Sequence, residues 1–151
     1  MRHLATTLFL FTLATLVGCF ETKTPLGPRE QAKVDREFCG DWQIEPTDKS
    51  QERGKIVIRN IDAQQYLVEL QESGKPPAQM VGYIVDVKDV HIAHVRDLPE
   101  DGALKDSWLL MRVQLDGANT MMIRQFNDKF FEGKPHDTAE QLRAIVEANL
   151  D

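Results

Sequence analysis

Two thiols and one close histidine pair are the side chains most able to do chemistry in this chain. Cys19 ends the stretch Leu16-Val17-Gly18-Cys19, directly after an apolar run, and its sulfur is nucleophilic enough to form a thioether. Cys39 sits in Glu37-Phe38-Cys39-Gly40, beside an aromatic residue and just before a strand-like stretch, where a small buried hydrophobe is the ordinary reading. His91 and His94 are three residues apart in a β-branched segment. A strand puts such a pair on opposite faces, whereas a metal needs its ligands on one side. The two are therefore expected on an edge or solvent-facing strand, with no metal. Glu100, Asp101 and Asp106 fall in one loop but follow no calcium-loop spacing, and Asp86 and Asp89 flank a turn. Gly-x-Ser-x-Gly, His-Glu-x-x-His, phosphate-loop and Cys-x-x-Cys patterns do not occur. The expectation is a protein with no catalytic residue and no cofactor.

The setting of Cys19 carries more information. Arg2 supplies an early positive charge, and residues 4–16 are almost wholly apolar, diluted only by threonines. That core fits a secretory signal and is too short for a comfortable membrane span of about 20 apolar residues. Together with Leu16-Val17-Gly18-Cys19 it resembles a bacterial lipoprotein signal peptide with its lipobox. The resemblance implies export, cleavage between Gly18 and Cys19, and lipidation of the Cys19 sulfur by a diacylglyceryl group, with chains such as palmitate. Two or more chains attach a protein stably where one is marginal. It also implies a location in the cell envelope. Phe20, rather than Asp, follows the cysteine, which in a Gram-negative host implies the periplasmic face of the outer membrane.

Cleavage would leave residues 19–151, enough for one domain. The formal charge of −6 becomes one unit more negative once Arg2 is removed. Acidity without a basic cluster excludes nucleic acid as an expected partner and leaves membrane contact to the lipid. With Cys19 alkylated, Cys39 is the sole thiol, so no intramolecular disulfide can form.

The elements that position these residues can be read by period. Residues 19–36 contain Pro25, Gly27 and Pro28 among polar side chains and read as the lipidated cysteine and a flexible tether. Residues 37–151 read as a single domain. Period-two alternation marks seven strands, near 39–45, 55–59, 65–71, 81–87, 90–95, 109–115 and 120–126. Their close spacing predicts an antiparallel meander, barrel-like, of about seven or eight strands. Asp116-Gly117 is a hairpin signal between the last two. Phe130-Phe131 reads as a hydrophobic clasp. Asp137 with Glu140, or Thr138 with Gln141, offers a capping box, and Leu142, Ile145, Val146 and Leu150 follow at helical spacing. An amphipathic helix over 138–150 is predicted to pack on the sheet.

Gly40-Asp41-Trp42 at the first strand matches the Gly-x-Trp motif that opens lipocalins and related calycin barrels. The resemblance implies that Trp42 closes one end of a barrel and that an arginine of the last strand, here Arg124, packs across its ring. No Thr-Asp-Tyr motif lies between the middle strands. The expected role is that of a non-enzymatic envelope lipoprotein with a structural or protein-interaction function, its partner the membrane and an envelope protein. The alternative is a lipocalin-like carrier of a small lipophilic ligand, for which Met80, Met111, Met121 and Met122 would line an adaptable cavity.

Overall fold

The computed structural model describes residues 20–44, 54–117 and 119–150. Gly18, Cys19 and the apolar run before them lie outside the described residues. Eight antiparallel strands form one sheet: β1 (Glu21–Thr22), β2 (Gly40–Ile44), β3 (Gly54–Asn60), β4 (Tyr66–Glu72), β5 (Ala78–Val87), β6 (Val90–Asp97), β7 (Trp108–Asp116) and β8 (Thr120–Gln125). One helix, α1 (Ala139–Glu147), follows. The protein is thus mainly β, a sequential meander from β2 to β8 with a C-terminal helix. The seven strands expected from alternation are all present. The eighth, β1, is two residues long, too short to show a period.

The meander does not close into a barrel. β2 and β8 are its ends and do not pair. On the edge of β7 away from β6, β1 takes the first two residues, and β8 runs along the rest. The sheet nevertheless curls. Ile58, Tyr66, Ala93, Val95 and Val113 form one core with Phe38, and Trp42 of β2 and Met121 of β8 both pack against it. The opposite face carries a second core, in which Val87, Ile92 and Leu110 meet Leu142, Ile145 and Val146 of α1. The central strands β5, β6 and β7 therefore send alternate residues to different cores, while β2, β3, β4 and β8 supply only the Phe38 core from one face, and both arrangements enforce alternation.

Local chemistry fixes the ends of the elements. Of the two capping registers, the chain uses Thr138, whose hydroxyl accepts from the Gln141 N–H while the Gln141 side chain accepts from the Thr138 N–H. β5 and β6 join through a two-residue turn in which Lys88 takes a left-handed φ of 54°. Gly117, after β7, has φ 70°, a conformation that suits a residue without a Cβ.

Residues 20–36, expected as a flexible tether, are instead laid onto the domain. Phe20, Leu26, Ala32 and Phe38 are all buried, and Thr22 pairs with Trp108. Short 3₁₀ turns at Arg29–Gln31 and Arg36–Phe38 bend the strap around the sheet. Polar composition and prolines do not prevent docking when an apolar residue returns at every sixth position.

Candidate functional site

The strap is held by a buried aromatic group. Tyr83 and His94 stack face to face, with ring centroids 4.7 Å apart, and Trp108 meets Tyr83 edge-on. The Arg96 guanidinium lies 4.2 Å over the Trp108 ring. His94 is fully buried on β6, between β5 and β7, which corrects the expected edge or solvent-facing strand. Its Nε2 accepts from the Leu26 N–H at 3.0 Å, so the neutral ring carries its proton on Nδ1. Nδ1 makes no hydrogen bond of full geometry among the described residues. Burial pushes the His94 pKa down to about 4; the Ile92 backbone acts the other way, and the Arg143 charge adds to the fall. The Tyr83 hydroxyl donates to the Gly27 carbonyl at 3.1 Å, and burial pushes its pKa up to about 12.

Further along the strap, the Tyr66 hydroxyl accepts from the Asp35 N–H at 2.7 Å and donates to the Asp35 carbonyl at 3.1 Å. Val34 donates to the Ala63 carbonyl. Between the strap and the sheet runs an open cleft of about 600 Å³. Its walls mix apolar Val34, Phe38 and Ile84 with charged Lys33, Asp35, Arg36, Asp86 and Arg143. His91 lines it, and its Nδ1 is 2.6 Å from an Asp86 oxygen. No hydroxyl or thiol is bonded to His91 among the described residues. Arg143 is already occupied by the carbonyls of Asp86 and Leu26.

The residues singled out from sequence are not brought together. His91 and His94 point to opposite faces, as their spacing requires: His91 pairs with Val113 on one core's face, and His94 stacks with Tyr83 on the other. Trp42 and Arg124 also lie on opposite faces. Trp42 packs into the Phe38 core and its Nε1 donates to the Phe38 carbonyl at 3.1 Å. Arg124 is exposed and stands opposite Arg112, on the α1 side of the sheet. The barrel-closing pair is therefore not formed, because register alone separates the two side chains by the thickness of the sheet. The arginine that does cover an indole is Arg96. Asp101 caps its own loop by accepting from the Ala103 N–H. Cys39 is free and half-buried. Met80, Met111 and Met121 pack against the Phe38 core. Among the described residues no three histidine, cysteine or acidic side chains are grouped to hold a metal, and no helix is long and apolar enough to cross a membrane.

Comparison with family models, curated proteins and solved structures found no match. The strap and its latch escaped sequence reasoning. The recurrence of Phe20, Leu26, Ala32 and Phe38 at a spacing of six, in an otherwise polar stretch, is the signal that could have found the strap.

Proposed function

We propose that this protein is an envelope lipoprotein, attached to a membrane through Cys19, whose β-domain has a non-enzymatic structural or protein-interaction role. The observation that carries the anchor is Leu16-Val17-Gly18-Cys19 behind a charged start and a short apolar core. The domain supports the non-enzymatic reading through what fills it. The face that a carrier would keep hollow holds Phe38, Tyr66, Val95 and Val113, with methionines around them. The cleft under the strap is open and charged, which suits a polar protein segment better than a lipophilic ligand. Metabolic labelling with a fatty acid, followed by membrane fractionation of wild type and Cys19→Ala, tests the anchor. Wild type is expected to be labelled and membrane-bound; the variant should be unlabelled, uncleaved before residue 19 and lost from the lipidated pool. A Cys19→Ala protein that still takes up the label would overturn it.

A further inference from the structure

We infer that the domain lies directly against the bilayer, with the face around Phe20, Phe130 and Phe131 turned to the lipid headgroups. This rests on the lipid-anchor reading of Cys19 and adds an orientation to it. Phe20 is 7 % exposed and its ring stacks on Phe131 with centroids 3.4 Å apart. The next residues are fixed as well: Glu21 and Thr22 pair with Leu109 and Trp108, and the Ser107 hydroxyl donates to the Glu21 carboxylate at 2.9 Å. Cys19 is bonded to Phe20, and adjacent Cα atoms are about 3.8 Å apart. A lipid on the Cys19 sulfur therefore has no spacer.

The same face presents an apolar group to whatever lies there. Phe130, next in the chain to the Phe131 that stacks on Phe20, is 40 % exposed, a large aromatic available to the headgroups. An aromatic ring at the headgroup boundary is favourable. The charges nearby nearly cancel, Lys129 and Lys134 against Asp128 and Glu132, so anionic headgroups are not what holds the face down. The lipid supplies the affinity, the missing spacer supplies the orientation, and Phe130 supplies contact.

The test uses the lipidated full chain reconstituted into phosphatidylethanolamine–phosphatidylglycerol vesicles that carry a headgroup-linked quencher. A fluorescent maleimide is placed at Lys134→Cys or, separately, at Ser73→Cys, each combined with Cys39→Ala. Glu21, Leu109, Val95, Gly82 and Tyr66 form one cross-strand row, and Ser73 lies past the far end of β4 from it. At about 3.3 Å per residue Ser73 is roughly 23 Å from Tyr66 along β4, and β7, β6 and β5 lie between β4 and β1, so in this orientation quenching at Lys134 should exceed that at Ser73 at least about threefold. A ten-residue Gly/Ser insertion between Cys19 and Phe20 should abolish the difference. Equal quenching at the two sites, or a difference that survives the insertion, overturns the orientation while leaving the anchor intact. Quenching at Lys134 that depends on protein density assigns the face to a second copy and also overturns it. The Cys39→Ala protein without an added cysteine should not react with maleimide, because a thioether has no free thiol. If it does react, the anchor reading fails first.

Discussion

His94 shows how one buried side chain can tie a strap to a sheet and set an acid limit. Its ring serves as the acceptor for Leu26 only while neutral. Above pH 6.5 the folded and unfolded states both hold the ring neutral, so it adds no pH dependence. Between pH 6.5 and about 4 the unfolded chain takes up a proton that the folded protein refuses. Stability therefore falls as pH falls, by about 3 kcal/mol across that window. Chemical denaturation at stepped pH should show this slope in wild type. His94→Gln, which keeps an acceptor for Leu26 but cannot titrate, should lose most of it; an unchanged slope would place the effect elsewhere. Gly82 is a second sensitive position. A Cβ there would stand 2.5 Å from the His94 carbonyl oxygen, a backbone atom that cannot swing away. Gly82→Ala is expected to cost about 1–3 kcal/mol in the same assay, through strain between β5 and β6. Neither sensitivity could be read from sequence. His94 sits in a run whose alternation gives its face but not whether that face is covered, and the cover comes from residues 20–38 and α1.

At the scale of elements, the meander and the helix were legible because every strand from β2 to β8 packs at least one face on a core, and the central strands β5, β6 and β7 pack both, which enforces alternation. The capping box was legible as chemistry but not as register: Asp137 and Thr138 both qualify, and the chain uses Thr138. Thr138→Ala should lower stability by about 1 kcal/mol, while Asp137→Ala should cost much less. The strap was misread. Prolines, glycine and charge look like a spacer, and β1 is too short to announce itself. Its hold on the domain is testable. Phe131→Ala removes the ring on which Phe20 stacks and should cost about 3–5 kcal/mol, by opening a cavity in the α1 core. Limited proteolysis should then cut near Lys23 or Arg29 well before the sheet is attacked. Resistance of those sites in the variant would mean that Leu26 and Thr22 hold the strap without Phe20. The Trp42–Arg124 pair fails for a reason that lies at this scale too: strand order was right, but a barrel also needs the last strand to meet the first, and the open meander leaves each at its own edge.

For the whole molecule, the parts combine into a simple physical picture. In the proposed reading an acidic domain without a basic cluster in its sequence takes its membrane attachment from an alkylated Cys19, next in the chain to buried Phe20. Among the described residues the Phe38 core is packed with the protein's own side chains, and a charged cleft runs under the strap. No disulfide is available to reinforce this arrangement once Cys19 is alkylated, so the two apolar cores must supply its stability. The proposed anchor rests on a sequence motif and the proposed orientation on tertiary structure, because only the fold reveals that Phe20 is pinned. The most direct test of the central claim is the mass of the N-terminal peptide of the mature protein, isolated from membranes. The account predicts a peptide that begins at Cys19 and carries a diacylglyceryl thioether on its sulfur. A mature chain that keeps residues 1–18, or that shows a free thiol at Cys19, would contradict it.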